Sequence, residues 1–168
     1  MDNDTIDSLT INKSSHINLV LISINADGSV YNNGLGYKNG YRVRSTGEET
    51  AVNGAYCTGF IPVNAGDVVR IYGWNSTDFS GSGTSINASD SSKTNIGQLA
   101  SNGNYEIFNG DYQAYNFSSV VHEDNEIYRW TVPPAASGVA YIRISGYSPS
   151  GRYTGKDLIV TINEEIEL

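Results

Sequence analysis

Along this chain apolar residues alternate with polar ones over short runs, and no stretch of a dozen residues repeats them every three or four positions. Alternation of this kind is the signature of half-buried β-strands. In Val68-Val69-Arg70-Ile71-Tyr72-Gly73-Trp74 it sets Val69 and Ile71 on one face and Arg70, Tyr72 and Trp74 on the other. In Ala140-Tyr141-Ile142-Arg143-Ile144-Ser145-Gly146-Tyr147, Ala140, Ile142 and Ile144 turn inward while Tyr141, Arg143, Ser145 and Tyr147 turn outward. Both segments carry an Arg-Ile-x-Gly-aromatic pattern, too short for a repeat but enough to suggest two strands in similar surroundings. Residues 157–162 predict a last strand, and strand-like residues begin at Ile17-Asn18-Leu19-Val20-Leu21-Ile22.

Turn chemistry punctuates these runs. Asn25-Ala26-Asp27-Gly28-Ser29, Asn32-Asn33-Gly34 and Lys38-Asn39-Gly40 each supply a residue that accepts positive φ, so residues 24–47 predict short extended pieces joined by tight turns. Pro62 and the Pro133-Pro134 pair mark strand ends or edges, where a missing N–H is tolerated. Many short strands between regular turn signals predict an all-β fold, an antiparallel sandwich or barrel. Residues 1–16 are polar and lack a clear period, which reads as a linker or neck, leaving 17–168 as one domain. The least regular stretch, about residues 75–118, reads as long loops, where a rigid β scaffold tends to carry its binding function.

At 168 residues, the chain can bury a core without covalent staples. One cysteine, Cys57, excludes an intrachain disulfide framework; its setting, Tyr56-Cys57-Thr58-Gly59-Phe60, predicts a buried inert thiol. Charged residues make up 17% of the sequence, too few for a coiled coil or helical bundle. The net charge of −8 argues against nucleic acid and against an anionic membrane surface, both of which call for clustered Lys and Arg. No apolar run approaches the ~20 residues that span a bilayer.

Chemistry is sparse. His122-Glu123-Asp124-Asn125-Glu126 gathers a histidine and carboxylates, but the other histidine, His16, lies in the presumed linker, and a zinc site needs three or four ligands. Asp27, Asp78, Asp90, Asp111 and Asp124 occupy turn-like contexts without the spacing of an EF-hand, so no cofactor is expected and a structural calcium stays open. Glu106, Asp111, Glu123, Asp124 and Glu126 offer carboxylate pairs of the kind glycoside hydrolysis uses, yet any acidic chain offers as many. No nucleophile elbow and no phosphate-cradling loop occurs. An enzyme is not expected.

Aromatic residues are the remaining lead, with 12 Tyr and 2 Trp against 4 Phe. Tyr and Trp join a flat apolar face to a hydrogen-bonding edge, which suits sugar rings and protein interfaces. If the strands around Ile71 and Ile144 lie side by side, Arg70, Tyr72, Trp74, Tyr141, Arg143 and Tyr147 form one aromatic and guanidinium surface. Tyr112 and Tyr115, in the irregular stretch, join them as expected ligand contacts. Trp130 is expected in the core. The glycosylation sequons at Asn12, Asn75, Asn87 and Asn116 read as by-products of an Asn- and Ser-rich composition.

Several phrases carry a family likeness. Asn18-Leu19-Val20 leads to Asn25-Ala26-Asp27-Gly28-Ser29-Val30-Tyr31-Asn32, then to Gly36-Tyr37-Lys38-Asn39-Gly40-Tyr41-Arg42 and Ser45-Thr46-Gly47-Glu48-Glu49-Thr50. Thr58-Gly59-Phe60-Ile61-Pro62-Val63-Asn64-Ala65-Gly66-Asp67-Val68-Val69-Arg70, Tyr141-Ile142-Arg143-Ile144-Ser145 and Leu158-Ile159-Val160-Thr161-Ile162-Asn163 follow. This order resembles the jelly-roll domain, similar to carbohydrate-binding modules, of bacteriophage tail, baseplate and fibre proteins. The likeness runs discontinuously over about residues 18–166 and leaves about 75–125 unmatched. It implies a jelly-roll sandwich on the virion surface, without catalysis, that binds a host surface glycan and sits among other virion proteins as a homo-oligomer. Its phrases are scaffold motifs, with no catalytic residue among them. A carbohydrate-binding module of a secreted bacterial enzyme and a purely structural fibre or oligomerisation domain are the competing readings.

Overall fold

The computed structural model describes residues 17–74, 85–100, 121–122 and 127–168. Within them lie ten strands, β1 (Tyr37–Val43), β2 (Glu49–Thr58), β3 (Ile61–Pro62), β4 (Val68–Tyr72), β5 (Ser85–Ser89), β6 (Asn95–Ala100), β7 (Val121–His122), β8 (Ile127–Thr131), β9 (Tyr141–Tyr147) and β10 (Ile159–Ile162). They form two sheets. One runs β1-β2-β9-β5-β6 with β3 added against β9; the other runs β10-β4-β8-β7. Every pairing is antiparallel.

The alternation dictates how the sheets meet. Tyr56, Ile61, Ile86, Ala88, Ile142 and Ile144 of the larger sheet pack in one cluster with Val69, Ile71, Trp130 and Val160 of the smaller. The chain is thus an all-β sandwich of two antiparallel sheets, as the sequence pattern predicts. Trp130 is 2% exposed, in the core as expected. Pro62 ends β3 on an exposed position, and Pro133-Pro134 lie just past β8, after Val132, both where a strand can spare an N–H.

Three expectations need correction. First, β4 and β9 belong to different sheets. Their inward residues face each other across the core, so Arg70 and Arg143 lie on opposite outer faces of the sandwich and no composite aromatic surface exists. Second, Trp74 is fully buried. Gly73 takes φ +77° just past the end of β4, which breaks the alternation and turns the indole back into the core. There the indole Nε1 donates to the Ser85 carbonyl at 3.4 Å and the ring meets Tyr128 edge-on at 5.3 Å.

Third, Leu19–Ile22 is a 3₁₀ turn and not a strand. The Asn18 side chain explains it. Its Oδ1 accepts from Val20 N at 3.2 Å and from Val160 N at 3.0 Å, while its Nδ2 donates to Leu158 O at 2.9 Å. An Asn side chain that satisfies the backbone locally competes with strand pairing, and here it also pins the turn to the entry of β10.

Candidate functional site

The register of β5, β6 and β9 builds a polar surface on the outside of the larger sheet. Because Ile86, Ala88, Ile142 and Ile144 face the core, their neighbours Ser85, Asn87, Ser89, Tyr141, Arg143 and Ser145 project the other way. Cross-strand pairing sorts them into rows: Tyr141 with Ser89 and Asn95, Arg143 with Asn87 and Gln98, Ser145 with Ser85. β5 and β6 fall in the stretch read from sequence as irregular loop. Ser85-Ile86-Asn87-Ala88-Ser89 alternates over only five residues, and the turn Asp90-Ser91-Ser92-Lys93-Thr94 follows it. That pairing of alternation and turn is the signal by which sequence reading could have found the hairpin.

This outer face is nonetheless largely covered: Asn87 and Gln98 are each 1% exposed. The connection between β1 and β2 folds over it and is held by side chains of the face itself. Gln98 Nε2 donates to Val43 O at 3.1 Å, Asn87 Nδ2 to Arg44 O at 2.8 Å and Asn95 Nδ2 to Ser45 O at 2.8 Å, while Ser145 Oγ accepts from Val43 N at 2.9 Å. Buried amides need such partners, because an unpaired one costs about 1–3 kcal/mol. Asn87 also donates to Asn95 Oδ1 at 3.0 Å and accepts from Gln98 Nε2 at 3.1 Å, which locks the amides to one another.

Beside this flap a cavity of about 170 Å³ stays open, lined among others by Thr46, Phe60, Asn87, Lys93, Asn95 and Arg143. Arg143 enters from β9. Its Nε donates to Thr58 O at 3.0 Å, and its Nη2 to Glu49 Oε2 at 2.6 Å and Tyr31 OH at 3.3 Å. The guanidinium lies 5.0 Å from the Phe60 ring centre and 5.5 Å from that of Tyr31. Glu49 also takes a hydrogen bond from Lys38 Nζ at 2.6 Å. Burial pushes the Glu49 carboxyl up, but the hydrogen bonds from Lys38, Tyr31 and Arg143 outweigh it and hold the group below the usual carboxylate range. Across the cavity Lys93 sits half-buried in the β5–β6 turn, with its ammonium 4.8 Å from the Tyr141 ring centre. Phe60 meets Tyr141 edge-on at 6.1 Å.

Of the residues expected to bind a ligand, Arg143 lines this cavity, and Tyr141 backs it through Lys93 and Phe60. The others are elsewhere. Arg70 is on the far sheet, where its Nη2 lies 3.1 Å from Glu165 Oε2 and its Nη1 donates to Glu164 O at 3.2 Å. Tyr72 packs edge-on against Tyr153 at 5.9 Å at the rim of the core. Trp74 is core. Tyr147 is half-buried opposite Ala55 and does not line the cavity. Tyr112 and Tyr115 lie outside the described residues. Asn87, Asn95 and Lys93 are site residues that sequence reasoning missed, because they came on a hairpin, two strands and their turn, that it had not drawn.

Cys57 is buried on this face, and burial pushes its thiol up to about 11, so it stays protonated and inert as expected. Among the described residues no three His, Cys, Asp or Glu side chains converge. Two of the calcium candidates are committed to their own turns. Asp27 Oδ1 accepts from Ser29 N and Oγ at 2.9 and 2.6 Å, and Asp90 Oδ1 from Ser92 N and Thr94 N at 2.9 Å each. Asp78, Asp111 and Asp124 lie outside the described residues, as do the carboxylates Glu106, Glu123 and Glu126. No protein family, curated protein or solved structure matches the chain.

Proposed function

We propose that the chain is a non-catalytic jelly-roll domain of a bacteriophage tail, baseplate or fibre that binds a host surface carbohydrate in the Arg143 cavity. The observation that carries the binding reading is the convergence of guanidinium, ammonium, hydroxyl and carboxamide groups on one cavity beside the Phe60 ring. Ligand sites pair an apolar wall with a few placed polar groups, and sugars call for both. The phage setting rests on the family likeness of the scaffold phrases. A drug-sized site has about 300–1,000 Å³; the 170 Å³ here suits one sugar residue or one ring substituent. Affinity for so small a contact is low, and display of several copies on a particle raises it.

The geometry also alters the expected mechanism. Lys93 already covers one side of the Tyr141 ring, so capture relies on polar contacts within the cavity more than on stacking against a bare aromatic platform. The test is a glycan array probed with the multimerised domain, beside an Asn95→Ala variant shown to be folded. Binding that weakens in Asn95→Ala places the sugar in this cavity. Binding unchanged in that variant moves the site elsewhere, and no binding by the multimer removes the carbohydrate reading for the glycans printed.

One observation favours the structural reading as a second. Leu21, Ile22 and Leu35 are 57%, 51% and 50% exposed, and Gly36 packs against the Val20 and Leu21 backbone, which brings the two segments that carry them together. Exposed apolar clusters mark association surfaces. Light scattering of Leu21→Ser/Leu35→Ser beside the unmodified chain tests it, with a drop in oligomer mass as the supporting result.

A further inference from the structure

Resting on the carbohydrate reading, we infer that the Arg143 cavity selects a sugar carrying an anionic substituent, with Lys93 as the residue that binds the charge. The chain has 18 Asp and Glu against 10 Lys and Arg, so a cation lining a cavity has carboxylates available to pair with. Lys38, Arg70 and Arg143 do, at 2.6, 3.1 and 2.6 Å. Lys93 makes no ion pair among the described residues. Its ammonium rests over the Tyr141 ring, a contact worth about 0.5–2 kcal/mol. Asp27 feels Lys93 only as the weakest of several influences, and Asp27 Oδ1 already accepts two hydrogen bonds from Ser29.

The backbone gives a second reason. Lys93 holds φ +64° in the turn between β5 and β6, a conformation that Gly or Asn adopts more readily and that costs another residue roughly 1–2 kcal/mol. A lysine kept where its backbone is strained is a reason to look for a task in its side chain. Opposite it, Arg143 Nε and Nη2 are engaged by Thr58, Tyr31 and Glu49, and Nη1 makes none of those bonds. A carboxylate or sulfate on a sugar ring in this cavity meets an ammonium that forms no ion pair among the described residues, with the Arg143 guanidinium on the same lining. Charge-assisted hydrogen bonds of this sort are about twice as strong as neutral ones. A neutral hydroxyl in the same place forgoes that gain, so the difference falls on selectivity.

The experiment is an amide-resolved NMR titration of the ¹⁵N-labelled chain with methyl glucuronide, methyl glucoside 6-sulfate and methyl glucoside, repeated on Lys93→Gln and Lys93→Arg. Both acidic sugars should bind about tenfold more tightly than methyl glucoside, the equivalent of ~1.4 kcal/mol. Lys93→Gln should erase that preference by weakening the acidic sugars more than the neutral one, and Lys93→Arg, which keeps the positive charge, should retain it. A preference shown by only one of the acidic sugars identifies which anion the cavity takes. Equal affinity for acidic and neutral sugars, unchanged in Lys93→Gln, overturns the charge selectivity and leaves carbohydrate binding standing. If none of the three sugars shifts the Asn87, Lys93, Asn95 or Arg143 resonances, both readings fail together.

Discussion

The Arg143 guanidinium meets the Glu49 carboxylate at 2.6 Å, tying the middle of β9 to the first residue of β2. The arginine side chain is 8% exposed and the glutamate 23%, whereas Lys38, the second cation on Glu49, is 33% exposed. Removal of the carboxylate therefore leaves a buried guanidinium uncompensated. Breaking a buried pair from one side costs about 3–5 kcal/mol, and the partial exposure of Glu49 brings the expectation for Glu49→Ala to about 2–4 kcal/mol. Lys38→Ala, on the solvent side, should cost under about 1 kcal/mol. Urea unfolding of the two variants checks the ranking, and equal losses contradict it.

The same carboxylate gives stability a pH dependence. Glu49 titrates below its ordinary value of 4.5 in the folded chain, so folding favours its ionised form. A depressed carboxylate contributes stability above its unfolded pKa and loses it as the pH falls through the folded one. The stability gap between the unmodified chain and Glu49→Gln should hold from neutral pH down to about 4.5 and narrow below it. Thermal unfolding midpoints of both chains from pH 7 downward measure this, and a gap that widens with acid contradicts it.

Trp74 belongs to folding. With no exposed surface, a core position and an edge-on contact with Tyr128, Trp74→Ala should cost about 3–5 kcal/mol, the range for emptying a large aromatic site. Near-ultraviolet circular dichroism and the urea midpoint report it directly. Lost ligand binding in that variant reports lost structure, so Asn95 and Lys93, on the outer face, are the positions that interrogate the cavity.

How much of this was legible follows from where the alternation is clean. Val69/Ile71 and Ile142/Ile144 set the inward faces of β4 and β9 correctly, because a period of two admits only one assignment once one face is buried. Pairing partners are a different matter, since two strands with nearly the same phrase ended in separate sheets. Trp74 misled because alternation counts residues evenly, and a positive φ at Gly73 resets the count. The site was the least legible part. Asn87, Asn95 and Gln98 read as loop composition, and only the long-range hydrogen bonds to the β1–β2 connection show them to be a buried polar layer.

Gly146 and Tyr56 supply a prediction that rests on space alone. Tyr56 reaches from β2 across to the smaller sheet, where its hydroxyl donates to the carbonyl of Gly73, and its ring passes over Gly146 of β9. A Cβ built at Gly146 would overlap Tyr56 Cε2 and Cζ. The ring cannot retreat, being 1% exposed within the core and tethered at its hydroxyl. Gly146→Ala should therefore cost about 3 kcal/mol or more, at the upper end for overpacking. Tyr56→Phe keeps the ring and loses only the hydrogen bond, so it should cost about 1–3 kcal/mol, for a buried carbonyl left without its donor, and should not rescue Gly146→Ala. Tyr56→Ala removes the obstacle. Combined with Gly146→Ala, it should destabilise by less than the sum of the two single changes, and a double-mutant cycle reads that non-additivity. Strict additivity would mean that the ring and the new methyl group never compete for the same volume.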